Sequence, residues 1–69
     1  MIALHDIVPG ARVRNPRGTK YQVVRVYREF VSLGKEVVRV DLRAKSGWIR
    51  PGEWIRKVQS WELVSSEGG

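Results

Sequence analysis

Within residues 35–43, positions 38–43 alternate strictly between apolar and charged side chains, and this pattern constrains the fold more than any other feature of the chain. Val38, Val40 and Leu42 occupy every second position, and charged residues stand between and beyond them. A period of two is typical of a β-strand that has one dry face and one wet face. The pattern therefore predicts a strand whose solvent face consists mainly of arginine.

Turn signals divide the rest of the chain into short β-prone segments. The run 20–31 is rich in valine and aromatic residues, and it lies between an Asn-Pro-Arg-Gly turn at 15–18 and a glycine-containing loop at 32–34. No segment has the apolar spacing of an amphipathic helix. Short strands separated by Gly and Pro turns predict an all-β fold, a small antiparallel barrel of about five strands with a single 3₁₀ turn near residues 58–61.

The chain is long enough for one small domain. Its 69 residues predict a single domain over 1–64, followed by a flexible tail of small polar residues at 65–69. A domain of this size buries only about 60% of its unfolded surface, so it needs large apolar side chains in its core. We expect Val13 and Trp61 to be buried, and at least two of the tryptophans Trp48, Trp54 and Trp61 to be core residues.

Composition favours an acidic partner and gives no sign of catalysis. The formal net charge is +6, without cysteine and with one histidine, so disulfides and thiolate metal sites are excluded, and we expect no metal or cofactor. No nucleophile, acid–base pair or phosphate loop is recognisable, which predicts a protein that is not an enzyme. Without a membrane-length apolar run or a signal pattern, the expected location is the cytoplasm, as a monomer or homodimer.

The loop at 32–34 predicts a hairpin between residues 20–31 and 36–44. This register points Arg28 inward, from where its long side chain can reach solvent. A bulge near Val23 and Val24 is another solution, because both cannot share one face of a regular strand. Four cross-strand pairs are expected: Val24 with Leu42 and Val26 with Val40 inside, and Arg25 with Asp41 and Tyr27 with Arg39 outside.

Arginine and tyrosine interleaved on the outer face are the elements of a nucleic-acid platform. Guanidinium groups bind phosphates in a forked geometry, and aromatic rings stack on unpaired bases. We therefore predict nucleic-acid binding, mainly through backbone phosphates; the alternative is a protein-interaction module that docks an acidic partner on the same face. The candidate binding residues are Arg12, Arg14, Arg17, Lys20, Tyr21, Arg25, Tyr27, Arg39, Arg43 and Lys45.

Residues 9–26 resemble the opening of KOW and Tudor-type small barrels. Those domains begin with a Gly-x-x-Val strand, a glycine-containing turn and a valine-rich strand, and Gly10, Val13, Gly18, Val23 and Val26 match that outline. The resemblance implies an SH3-like barrel of about five strands. Such barrels bind RNA, DNA, peptides or modified side chains, so the resemblance by itself implies no single partner.

Overall fold

Five antiparallel strands form one sheet. A computed structural model of the chain describes residues 1–65. Its strands are ordered β4-β3-β2-β1-β5, which confirms the small all-β fold of five strands. Along the chain the elements are a 3₁₀ helix at Leu4–Asp6, β1 at Arg12–Arg14, β2 at Lys20–Ser32, β3 at Lys35–Ala44, β4 at Ile49–Trp54, the short helix α1 at Ile55–Gln59, and β5 at Glu62–Ser65.

The C-terminal end differs from the expected boundary. Ser65, which was predicted to begin the tail, is the last residue of β5 and pairs with Arg12 of β1. The remainder of the predicted tail, residues 66–69, lies outside the described residues.

The long β2–β3 hairpin has most of the predicted register. Val26 faces Val40, Arg25 faces Asp41 and Tyr27 faces Arg39, as expected. The predicted pairing of Val24 with Leu42 is wrong.

A β-bulge at Val24 explains that difference. The register shifts between Val23 and Arg25, so that Val23 faces Leu42 and Val24 has no direct partner. Val23 is buried, whereas Val24 is 38% exposed. The extra residue lets two adjacent valines take different positions without breaking the apolar row, so of the two solutions left open by the sequence the bulge is present.

The same bulge moves Tyr21 to the inner face. Tyr21 is only 7% exposed, and its ring stacks on Trp61 with centroids 5.7 Å apart. Its predicted place on the outer face is therefore wrong. The prediction counted alternate residues through Val24 as if the strand were regular, and one inserted residue reverses the faces of everything that precedes it.

The core lies on the inner face of the sheet, under the N-terminal segment and α1. Val13, Val23, Val40, Leu42 and Val58 are its largest fully buried side chains. Ile2 and Ile7, which lie before and after the 3₁₀ helix, belong to this cluster. Tyr21 and Trp61 also belong to it. A backbone hydrogen bond connects the N-terminal segment to α1: Ile2 N donates to Gln59 O at 2.7 Å.

The tryptophan prediction is only partly right. Trp61 is buried, as is Val13, which confirms both expected core residues. Trp48 and Trp54 are 63% and 47% exposed, so the expectation of a second core tryptophan is wrong.

The turns form where the sequence contains residues that favour turns. In the turn at 15–18, Gly18 N donates to Asn15 O at 2.9 Å, and Asn15 Oδ1 accepts hydrogen bonds from the backbone N–H groups of Arg17 and Thr19. Gly18 has a φ of +88°, which glycine adopts without steric cost. The hairpin turn is one residue shorter than predicted, because Ser32 already pairs with Lys35.

The segment at 55–61 combines a single α-helical turn with the expected 3₁₀ geometry. α1 ends at Gln59, and Trp61 N then donates to Val58 O at 2.9 Å, a 3₁₀-type bond. This hydrogen bond places Val58 and Trp61, both of which are buried, on the same side of the segment. The connection between the edge strands β4 and β5 therefore also covers the core.

Trp61→Ala should lower the free energy of unfolding by about 3–5 kcal/mol, because it removes a buried indole and leaves Tyr21 without its stacking partner. Trp48→Ala is the matched control and should change stability by no more than about 0.5 kcal/mol, since Trp48 faces solvent. Denaturant unfolding of both variants measures the difference. Equal stabilities would place Trp61 at the surface and contradict the described core.

Candidate nucleic-acid interface

One row of outward-facing residues crosses the whole sheet. Arg12 of β1 lies opposite Gln22 of β2, Gln22 opposite Arg43 of β3, and Arg43 opposite Ile49 of β4. Because directly paired residues share a face, these side chains point to the same side. The strand order thus places two arginines from distant parts of the chain on either side of a glutamine.

A groove follows this row on the outer face, and we call it the basic groove. Its charged residues are Arg12, Lys20, Arg43 and Lys45, and no carboxylate of residues 1–65 lines it. The remaining lining residues are Tyr21, Gln22, Ala44 and Val64. β1 and β2 supply one pair of cations, and the end of β3 supplies the other.

Ion pairing separates the groove cations from the other basic residues. Each carboxylate in residues 1–65 lies within 4.0 Å of a nitrogen of a basic side chain, and none of these side chains belongs to the basic groove. The pairs are Asp6 with His5, Glu29 with Arg39, Glu36 with Arg28, Asp41 with Arg25, Glu53 with Arg50 and Lys57, and Glu62 with Arg14. Within the described part of the chain, the groove therefore keeps its full positive charge.

The other half of the outer face is internally neutralised. Arg25 Nε donates to Asp41 Oδ2 at 3.2 Å, and its guanidinium carbon lies 4.2 Å from the centroid of the Tyr27 ring. Asp41 Oδ1 accepts a further bond, 2.8 Å long, from Gly52 N of β4. Asp41 therefore ties three strands together, and Arg25 and Tyr27 belong to this network.

Arg39 is a structural residue of the same network. Its guanidinium carbon lies 4.7 Å from the Trp54 ring centroid, and its Nη1 donates to Gly52 O at 2.9 Å. Nε lies 3.0 Å from Glu29 Oε2, without the alignment of a hydrogen bond. The side chain is only 20% exposed, so it has little surface left for a phosphate.

Arg14 and Arg17 also lie outside the basic groove. Arg14 Nε donates to Glu62 Oε2 at 3.1 Å; this hydrogen bond, and secondly the attraction of opposite charges, raises the pKa of Arg14 and lowers the pKa of Glu62. Arg17 is exposed in the β1–β2 turn. Of the predicted residues, the groove is lined by Arg12, Lys20, Arg43, Lys45 and Tyr21, although the Tyr21 ring packs in the core; the other predicted residues lie elsewhere.

The unpredicted groove residues include Gln22 and Val64, which have no charge. Gln22 stands between Arg12 and Arg43, and Val64 of β5 lines the far side. A search for cations and aromatic rings passes over both. The Gln22 position could have been found from the predicted bulge, which turns Gln22 rather than Tyr21 outward.

Comparisons with protein-family models, curated proteins and solved structures gave no match. Residues 1–65 contain no group of three or more His, Asp and Glu residues that could hold a metal ion. No helix in this described part is long and apolar enough to span a membrane. The function therefore has to be inferred from the site itself.

The Arg14–Glu62 pair should be visible in a carboxyl titration. Following Glu62 by NMR, we expect its pKa below the ordinary glutamate value in the wild type and a return towards that value in Arg14→Gln. Because folding lowers this pKa, the pair stabilises the fold above the ordinary glutamate pKa and loses that effect as pH falls through the lowered value. An unchanged pKa in the variant would show that the pair does not form in solution.

Arg39→Ala and Arg43→Ala should differ in stability although both remove an arginine from the outer face of β3. Loss of the Trp54 and Gly52 contacts predicts a cost of about 1–3 kcal/mol for Arg39→Ala. Arg43 has no such contacts in the described chain, so its replacement should stay within about 0.5 kcal/mol. Thermal or denaturant unfolding measures the stability of both variants. Equal losses of stability would contradict the division of the outer face into a structural network around Arg39 and a separate basic groove.

Proposed function

We propose that this chain is a non-enzymatic nucleic-acid-binding domain that contacts backbone phosphates through the basic groove. The observation that supports this most directly is the grouping of Arg12, Lys20, Arg43 and Lys45 in one groove that no carboxylate of residues 1–65 lines. An accessory role in transcription, translation or recombination would suit such a domain, and we place it in the cytoplasm. The resemblance of residues 9–26 to KOW and Tudor-type barrels supports the proposal.

The spacing of the groove cations suits several phosphates at once. Arg12 and Arg43 lie two strands apart, so their backbones are separated by about 10 Å, at 4.8 Å per strand. Each guanidinium can hold a phosphate by two parallel hydrogen bonds, while Lys20 and Lys45 act as point charges. A polyanion therefore finds separate contacts across the groove.

The repulsion within this cluster is small enough for the fold to tolerate. Two like charges about 10 Å apart in water repel by about 0.4 kcal/mol. The sheet can thus hold the groove cations without carboxylates, and a bound chain of phosphates removes the repulsion and releases its own counterions. Binding should therefore weaken steeply with salt.

The test compares two double variants with the same change in net charge. Arg43→Gln/Lys45→Gln removes two groove cations, and Lys35→Gln/Arg56→Gln removes two exposed cations that are unpaired in the described chain and lie outside the groove. If each groove cation meets one phosphate, the first variant should reduce the slope of log K against log salt by about 1.4–1.8. The control should keep a slope close to that of the wild type.

Random-sequence oligonucleotides, titrated at several salt concentrations, provide the measurement. Equal slopes for the two variants would show that overall charge rather than the groove drives binding. No binding of DNA or RNA by the wild type would sink the proposal. In that event the acidic protein surface becomes the preferred partner, and the same two variants would show whether it docks on the groove.

A further inference from the structure

Gln22 lies in the middle of the basic groove, and the fold does not use its amide. The pairing of β2 with its two neighbours places Gln22 between Arg12 and Arg43. Its side chain is half-buried. Within residues 1–65 it takes part in none of the side-chain hydrogen bonds. The amide is therefore available to a bound molecule at the centre of the site.

This amide differs chemically from the cations around it. Arginine and lysine side chains only donate hydrogen bonds, whereas an amide has two N–H donors and a carbonyl oxygen that accepts. The Tyr21 hydroxyl is also an acceptor, but the Tyr21 ring is buried against Trp61. Among the groove-lining side chains of residues 1–65, Gln22 Oε1 is therefore the acceptor on the outer face. A phosphate diester carries no hydrogen-bond donor at neutral pH, so it makes no use of that oxygen.

The position of Gln22 indicates which part of a nucleic-acid chain it would meet. Neighbouring strands lie about 4.8 Å apart, so the backbones of Arg12 and Arg43 flank that of Gln22 at this distance. When the two guanidiniums hold successive phosphates of one strand, the sugar that joins those phosphates lies over Gln22. Ribose carries a 2′-hydroxyl, which donates and accepts hydrogen bonds, and deoxyribose does not. The 2′-hydroxyl is thus a donor that suits Gln22 Oε1.

We propose, resting on the proposed function, that the basic groove prefers RNA to DNA and that Gln22 sets this preference by accepting a hydrogen bond from a ribose 2′-hydroxyl. The groove cations bind phosphates of either nucleic acid, because RNA and DNA carry the same charge per nucleotide. The contact at Gln22 distinguishes the two sugars. With DNA the amide oxygen faces a CH₂ group and loses contact with solvent without gaining a hydrogen bond, which lowers affinity.

The first experiment measures dissociation constants of the wild type and Gln22→Met for single-stranded RNA and DNA of one sequence. The sequence contains only adenine and cytosine, so that the bases are identical in the two strands. The wild type should bind RNA about threefold to tenfold more tightly, the effect of one hydrogen bond. Gln22→Met keeps the length of the side chain without the amide. It should lose this preference and keep the DNA affinity and the salt slope.

Arg43→Gln/Lys45→Gln is the matched control. It should weaken binding of RNA and DNA by the same factor and so retain the ratio of the two dissociation constants, because it removes phosphate contacts. If Gln22→Met weakened both nucleic acids equally, the amide would contact a base or a phosphate, and the assignment to the 2′-hydroxyl would be overturned. Melting temperatures establish that each variant is folded.

A 2′-fluoro strand of the same sequence separates hydrogen bonding from the shape of the sugar, and it needs only the wild-type protein. Fluorine keeps a ribose-like sugar pucker but cannot donate a hydrogen bond. The wild type should therefore bind the 2′-fluoro strand as weakly as DNA. Binding at the level of RNA would show that sugar shape, rather than a hydrogen bond to Gln22, makes the difference.

The outcomes distinguish this inference from the proposed function. Equal affinities of the wild type for RNA and DNA, tighter binding of DNA, or a preference for RNA that persists in Gln22→Met would overturn the role of Gln22. In each of these cases the charge variants could still confirm phosphate binding by the groove. If neither nucleic acid binds to the wild type, both proposals fail.

Discussion

The bulge at Val24 is the local feature on which the rest of the structure depends. It inserts one residue into β2, and so the faces of all residues that precede it are exchanged relative to β3. Tyr21 turns inward to stack on Trp61, and Gln22 turns outward between Arg12 and Arg43. Without the inserted residue, a polar glutamine would enter the core and the tyrosine would leave it. The core and the basic groove are therefore two consequences of the same irregularity.

Ion pairing gives the outer face two regions with different roles. Around Asp41 and Gly52, the arginines Arg25 and Arg39 are engaged by carboxylates, aromatic rings and a backbone carbonyl. These contacts connect β2, β3 and β4 in a protein too small to rely on its core alone. At the other end of the same strands, the groove cations meet no carboxylate of the described chain. A basic face thus contains a region that stabilises the sheet and a region that is available to an anion.

This division also limits what the binding surface can recognise. Both tyrosines that were predicted to stack on bases make contacts within the protein. Tyr21 stacks on Trp61 in the core, and the guanidinium of Arg25 covers the ring of Tyr27. The phosphate contacts proposed for the groove cations would be sequence-independent. The proposed binding is therefore to nucleic-acid chains in general rather than to a particular sequence.

The sequence by itself determined the all-β class, the turn at 15–18, the hairpin with its pairs from Arg25 to Arg39, and the burial of Val13 and Trp61. These features follow from local alternation, turn chemistry and side-chain volume, which a sequence displays directly. Only the tertiary structure decided which cations are free, because that depends on carboxylates brought close by strand pairing, as Glu62 is to Arg14 and Glu29 to Arg39. It also decided that Tyr21 is buried, because the bulge at Val24 turns it to the inner face, and that Trp48 is exposed. Charge and aromaticity are properties of residues, whereas their availability to a ligand is a property of the fold.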